Sequence, residues 1–170
     1  MNDITTNPLS ASARRVQDAL QTLGLDCQVR ELAQSTRTAA DAAASVDCQL
    51  GQIVKSLIFR TQHSDQAILV AVSGRNRLSE KKLSALIGEP ITRPDADFVR
   101  VRTGFAIGGV APVGHLTTLP AYIDIDLLQY DTVWAAAGTP RALFMTTPTD
   151  LITMTQGTIA DIKLDESIAT

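Results

Sequence analysis

Apolar positions recur along this chain in two rhythms, one helical and one alternating. Ala13, Val16, Leu20 and Leu23 fall at helical spacing behind Ser10 or Ser12, either of which caps, and Gly24 marks the stop. Cys27 to Leu32 alternates and predicts a short strand. Thr38 with Asp41 three residues later has the form of a capping box, starting an alanine-rich helix over 39–46. Residues 52–60 read Gln-Ile-Val-Lys-Ser-Leu-Ile-Phe-Arg. As a strand, this segment puts Ile53, Leu57 and Phe59 on one face with Lys55, and Val54, Ser56 and Ile58 on the other. Both faces are largely apolar, the pattern of a central strand, and Ala67 to Ser73 has the same character and is expected to pair with it.

After the turn at 74–77, Ser79 caps a helix through Leu83 and Leu86 that Gly88 ends. Pro94 and Asp95 open a short helix through Phe98 and Val99. Ala121 to Ile125 and Thr132 to Ala136 read as strands, with a short helix around Leu127 and Leu128 between them. The turn signal Gly138-Thr139-Pro140-Arg141 predicts a return strand over 142–146. Thr147 or Thr149 caps a helix through Leu151 and Met154, Gly157 stops it, and Ile159 to Leu164 is the last strand. Strands and short helices intermingle without regular βαβ spacing. The expected fold class is α/β (α+β): a single domain over 10–170 with a mixed sheet and surrounding helices, after a loose lead-in over 1–9.

Composition narrows the function. The 170 residues are 45% apolar, 19% charged and 4% aromatic, so the core is aliphatic and alanine-rich. Lys plus Arg is 15 against 18 acidic residues, a net charge of −3, which argues against a non-specific nucleic-acid coat. A local patch for one RNA end remains open, and arginine supplies most of the positive charge, suiting phosphate contacts. Cys27 and Cys48 make neither a disulfide framework nor, with His63 and His115, a four-ligand zinc site. No signal-peptide pattern or membrane-length apolar run is present, and a cytoplasmic location is expected.

Lys55 is the first candidate for chemistry. An ammonium between apolar positions costs several kcal/mol unless it is paired or its pKa falls. Either it holds an anion, an ester carbonyl or a ribose oxygen, or it snorkels to the sheet edge. The second candidate is the segment 103–114, Thr-Gly-Phe-Ala-Ile-Gly-Gly-Val-Ala-Pro-Val-Gly. It is too broken for a helix and too apolar for a solvated loop. Gly108 and Gly109 could aim uncovered amides at a developing oxyanion, or the segment could be a tight crossover under the sheet, the commoner case. It has neither the Lys-Ser/Thr of a P-loop nor the dinucleotide spacing. Ser73 with Asn76, and Ser35 to Thr38, could supply pocket groups or act as turn and cap residues. His115 reads as an acid/base group or a structural histidine. No nucleophile elbow or Cys–His pairing is evident, so water or the substrate is expected to attack.

In combination, Gln52-Ile53-Val54-Lys55-Ser56-Leu57 and Gly108-Gly109-Val110-Ala111-Pro112-Val113-Gly114 resemble the YbaK/EbsC family. These proteins are free-standing relatives of the editing domain inserted in bacterial prolyl-tRNA synthetase. Thr36 to Ala43 and Trp134 to Gly138 fit the same pattern, in order, over roughly residues 28–163. The resemblance implies a curved mixed sheet and trans-editing, the hydrolysis of the ester joining a wrong amino acid to tRNA, often tRNA(Pro). It implies that Lys55 positions the terminal adenosine and that the loop from Gly108 to Pro112 turns backbone amides, those of Gly108 and Gly109 first, to the ester carbonyl. It implies attack by water, helped by a ribose hydroxyl, or by the misacylated side chain in cysteine-specific members, with no metal and no cofactor. The partners are the tRNA acceptor end and, in some cases, prolyl-tRNA synthetase.

Substrate contacts are expected from Thr38, Ser73, Asn76, Phe105, Ile107, Val110, Ala111, Pro112, Ala136 and Gly138, with Ile53 and Ala106 in the pocket wall. Some alanine-specific relatives carry a pocket histidine on a late strand. Here the run is Ala135-Ala136-Ala137-Gly138, which departs from that pattern and leaves the pocket open on that side. Two other readings compete: a non-catalytic module binding tRNA or the synthetase, and a hydrolase of small aminoacyl esters. Arginines 75, 77, 100, 102 and 141 discriminate among them, since several at the pocket mouth would favour a tRNA end.

Overall fold

Serine, threonine and aspartate caps start each helix where the local chemistry asks for one. In the computed structural model, which describes residues 8–165, Ser10 caps α1 (Ala11–Thr22) by accepting from the Ala13 N–H. β1 (Val29–Glu31) follows, shorter than the expected 27–32. Thr38 caps α2 (Ala39–Val46), and the Asp41 carboxylate returns a bond to the Arg37 N–H at 3.2 Å, one residue before the cap. β2 (Ile53–Thr61) and β3 (Ala67–Ser73) form the central hairpin, and every residue of β3 is buried. Ser79 caps α3 (Glu80–Ile87), β4 (Ile91–Thr92) is a two-residue edge, and Asp95 caps α4 (Ala96–Thr103).

β5 (Ala121–Asp124) ends one residue early, because Asp124 caps a short 3-10 turn that takes in Ile125. β6 (Val133–Ala136) and β7 (Ala142–Thr146) make the second hairpin. Thr147 caps α5 (Pro148–Thr155), and β8 (Thr158–Ala160) closes the sheet. Two expectations change here. The left-handed residue ending α5 is Gln156 (φ 51°), not Gly157, and a Cβ on Gly157 would meet Ile123 at 3.0 Å, so the glycine is there for packing. The last strand stops at Ala160 and continues only as a bridge between Leu78 and Lys163. Of the expected lead-in over 1–9, residues 1–7 lie outside the described residues, and Leu9 packs against the core.

The strands form one mixed sheet in the order β1-β7-β6-β2-β3-β5-β8, with β4 also pairing β2. Five helices flank it, as the α/β expectation requires. α1, α4 and α5 bury Val16, Leu20, Val99 and Leu151 against Val54, Leu69, Ala71 and Phe144 on one face. The other face carries two separate clusters. α2 covers Ile53, Trp134 and Leu143, and α3 covers Phe59, Ile68, Val70 and Val72. Lys55 lies on this second face, between the Ile53 cluster and the Phe59 cluster, where neither helix covers the strand.

Candidate functional site

The sheet is split along β2. Its outer edge pairs with β6 only at Ile53 and Val54, and with β4 only at Arg60 and Thr61. A cavity of about 860 Å³ opens in the gap, within the range of small-molecule sites. Every residue from Ile53 to Phe59 lines it. Side chains of a strand alternate between faces, so seven consecutive lining residues mean that the cavity faces the strand's edge. Its rim comes from the start of α2, the turn after β3, the Arg93-Pro94 entry to α4, the glycine-rich loop and the β6–β7 hairpin.

Lys55 is half-buried on this rim, and its ammonium donates to the backbone carbonyl of Asn76. Burial lowers its pKa, Asp124 pulls it back up, and Arg77 lowers it further. The Asn76 side-chain amide donates to Asp124 Oδ2 at 2.9 Å and to Asp126 Oδ2 at 2.8 Å. Asp124 is fully buried and also accepts from the Ser73 N–H at 3.1 Å and the Asp126 N–H at 3.0 Å. The Asn76 hydrogen bond and Lys163 hold the Asp126 carboxyl below its usual range. Ser73 Oγ donates to the Gly51 carbonyl at 2.7 Å. Neither Ser73 nor Asn76 lines the cavity. Expected as substrate contacts, both are instead bound into the turn that holds the acceptor for Lys55.

The glycine-rich loop reaches the cavity from the far side, through Ile107, Gly108 and Val110. Gly108 has φ 94° with open space where a Cβ would stand, so its glycine is a backbone requirement. Among the described residues no acceptor meets the Gly108 or Val110 N–H. Gly109 differs: its N–H donates to Ala106 O at 3.1 Å, and a Cβ would meet the Thr139 backbone at 2.8 Å. The amides free to meet a ligand are therefore those of Gly108 and Val110.

Four other expected contacts lie outside the cavity lining. Phe105 is buried in the core, with the Arg15 guanidinium 4.2 Å from its ring centroid and His115 edge-on at 6.1 Å. Ala111 is buried, and its carbonyl meets His115 Nε2 at 2.6 Å. Burial holds the His115 pKa down. Pro112 and His115 line a separate hollow of about 170 Å³. Gly138 (φ 96°) packs against Ser12 O, 2.8 Å from where its Cβ would stand. Thr38 and Ala136 do line the cavity, as do Ile53 and Ile107 of the expected wall, whereas Ala106 does not.

Of the five arginines expected to discriminate, only Arg77 lines the cavity; Arg37 and Arg93 join it. Arg93 pairs with Glu80 at 3.4 Å, while Arg102 is tied to Asp65 at 3.3 Å. Arg37, Ser56 and Trp134 lay in segments already singled out for their resemblance, but no local signal brings Arg93 to the same place. Among the described residues no three His, Cys, Asp or Glu side chains group as metal ligands, and no helix is long and apolar enough to cross a membrane.

A lysine and a glycine-rich loop lining one cavity in a split mixed sheet define an α/β ligand-binding domain. Residues 33–154 match the aminoacyl-tRNA editing domain, and the chain belongs to that family. It is 32% identical to the uncharacterized protein YwhH of Bacillus subtilis over 72% of this chain and 78% of that one. It is 24% identical to EbsC of Enterococcus faecalis, a candidate Cys-tRNA(Pro)/Cys-tRNA(Cys) deacylase, over 76% of this chain and 79% of that one. A crystal structure of a candidate trans-editing enzyme for prolyl-tRNA synthetase superposes with a TM-score of 0.89 at 53% identity, covering 93% of this chain and 100% of the other. The resemblance read from four sequence segments is thereby established.

Proposed function

We propose that this protein is a cytoplasmic trans-editing deacylase that hydrolyses the ester of mischarged tRNA, with tRNA(Pro) as the first candidate. The observation that supports this reading is that Lys55, Gly108 and Val110 line one cavity with Arg37, Arg77 and Arg93, and that no acceptor meets the Gly108 or Val110 N–H among the described residues. An aminoacyl ester is already activated, so orientation and oxyanion stabilisation can supply most of the acceleration. The lining contains no cysteine or histidine. Its Thr36 and Thr38 hydroxyls are engaged, with Pro140 O at 3.0 Å and the Asp41 N–H at 3.0 Å. Ser56 Oγ is buried without a partner among the described residues, but the lining offers it no histidine as a base. In this reading water attacks, helped by a ribose hydroxyl, with the misacylated side chain as the alternative nucleophile for a cysteine substrate. The water oxygen adds to the ester carbonyl, the amides receive the negative charge, and collapse expels the ribose 3′ oxygen, which takes a proton. Free amino acid and intact tRNA result.

Lys55 holds the terminal nucleoside, and the arginines take the backbone phosphates of the acceptor end. Ile53, Ile107 and Ala136 bound the amino acid, and apolar walls of this kind separate side chains by size only modestly. The test is deacylation of tRNA(Pro) charged separately with Ala, Cys, Ser, Thr or 2-aminobutyrate, against Pro-tRNA(Pro). Hydrolysis of one or two mischarged forms, lost in Lys55→Ala, is the expected result. No turnover of any form, with tRNA still retained on the protein, would favour a non-catalytic binding module.

A further inference from the structure

The gap in the sheet leaves part of the β2 main chain without a partner. The Gly74 N–H donates to Ile53 O at 2.7 Å and the Thr61 N–H to Gln66 O at 2.9 Å, so Ile53 and Thr61 turn their backbone groups toward β3. Strand geometry repeats every two residues, so Lys55, Leu57 and Phe59 do the same. Val54, Ser56, Ile58 and Arg60 then direct N–H and C=O to the outer edge. Val54 meets β6 there and Arg60 meets β4, but Ser56 and Ile58 meet no strand. Among the described residues neither has any other backbone bond, and the buried Ser56 Oγ has no hydrogen-bond partner. Unpaired main-chain groups inside a cavity call for a ligand that completes them.

Apolar side chains from both faces of the sheet wall the cavity beside this edge. Ile58 and Val110 belong to the core of one sheet face, while Phe59 and Trp134 belong to the clusters on the other. A planar ring paired with the edge in the plane of the sheet would lie between these apolar walls. The Ser56 carbonyl and the Ile58 N–H are successive groups on that edge, an acceptor beside a donor. Adenine offers the complement, with its exocyclic amine donating beside a ring nitrogen that accepts, and unstacked bases are commonly read on such edges. Resting on the proposed deacylase reading, which puts the tRNA 3′ end in this cavity, we propose that the free edge of β2 at Ser56 and Ile58 reads the terminal adenine through its main chain. The adenosine is thus selected by backbone groups that no side-chain substitution removes, and Lys55 is left to hold the sugar.

The test titrates 15N-labelled protein with the trinucleotide CCA and with counterparts ending in purine riboside, which lacks the exocyclic amine, or in inosine, which reverses the donor and acceptor. CCA is expected to bind at least tenfold more tightly than either counterpart and to move the Ile58 amide resonance. Equal binding of the three, absence of CCA binding, or an unmoved Ile58 amide overturns the proposal. Deacylation of mischarged tRNA is measured beside it. Hydrolysis without base discrimination removes the adenine site and leaves the deacylase. Base discrimination without hydrolysis removes the deacylase and leaves the adenine site.

Discussion

The Lys55 ammonium donates to the backbone carbonyl of Asn76, a residue whose own side chain is fixed by two carboxylates, Asp124 and Asp126. The position of Lys55 in the cavity is therefore set by a turn anchored on the opposite side, at a fully buried carboxylate. Asn76→Ala keeps the carbonyl but frees the turn that carries it, and takes one of the donors from Asp124. A hydrogen bond to a charged group contributes about 1.5–3 kcal/mol, and stability is expected to fall by that order. Turnover of mischarged tRNA should fall about tenfold, with kcat affected more than KM, because Lys55 is misplaced rather than removed. Urea denaturation and steady-state kinetics check the two effects. Full activity in a destabilised Asn76→Ala protein would separate the turn from the chemistry.

Lys55 itself is a liability to the fold. Its pKa is lowered chiefly by burial, so the protonated form is less favourable in the folded chain than in the unfolded one. Below the folded pKa the lysine is charged in both states and the full cost is present. As pH rises through the folded pKa toward the unfolded value, the unfolded state binds more protons and stability rises. Lys55→Met is accordingly expected to be at least as stable as the parent at pH 7, with the difference shrinking at alkaline pH, while deacylation is lost. Thermal melts at pH 7 and pH 10 read the sign directly. A Lys55→Met protein clearly less stable at pH 7 would make the lysine a structural residue.

The two adjacent glycines are expected to fail for different reasons. Gly108→Ala places a side chain in open space at φ 94° and costs about 1 kcal/mol in left-handed strain. Gly109→Ala drives a methyl into the Thr139 backbone, 2.8 Å away, and costs about 2 kcal/mol or more as the loop is pushed off the hairpin. Gly109→Ala should therefore show the lower melting temperature, and Gly109→Val should block turnover by displacing the loop. Gly108→Ala should retain the fold and lose activity in proportion to how far its free amide turns. Equal melting temperatures for the two alanine variants would contradict the packing seen at Gly109.

Local chemistry was readable along the chain, and the site was readable only in part. Ser10, Thr38, Ser79, Asp95 and Thr147 cap helices because a cap needs only its neighbours three residues on. Lys55 stood out because a charge between apolar positions is visible in one strand. Phe105 misled, since Gly104 at φ 80° follows α4 and the ring is buried beside Arg15 instead of lining the cavity. Arg93 and Arg102 look alike in sequence, yet one lines the cavity and the other is tied to Asp65. Which arginine serves depends on where β4 and β6 stop pairing with β2, a property of sheet register that no local window carries.

That geometry makes the arginines a test of substrate class. Arg37 and Arg77 are exposed at the cavity rim, and neither forms an ion pair among the described residues. If each meets a phosphate of the acceptor end, Arg37→Ala or Arg77→Ala should raise KM severalfold with little change in kcat. Each should also flatten the dependence of log affinity on log salt by about one unit per lost contact. Arg141, exposed and outside the cavity lining, is the control, and Arg141→Ala should change neither quantity. Titrations of mischarged tRNA at several salt concentrations measure both. A small aminoacyl ester without phosphates should be hydrolysed equally well by the parent and all three variants. Equal losses on that ester would mean that the arginines act on the amino acid or on the cavity itself, and tRNA would lose its claim as the ligand they recognise.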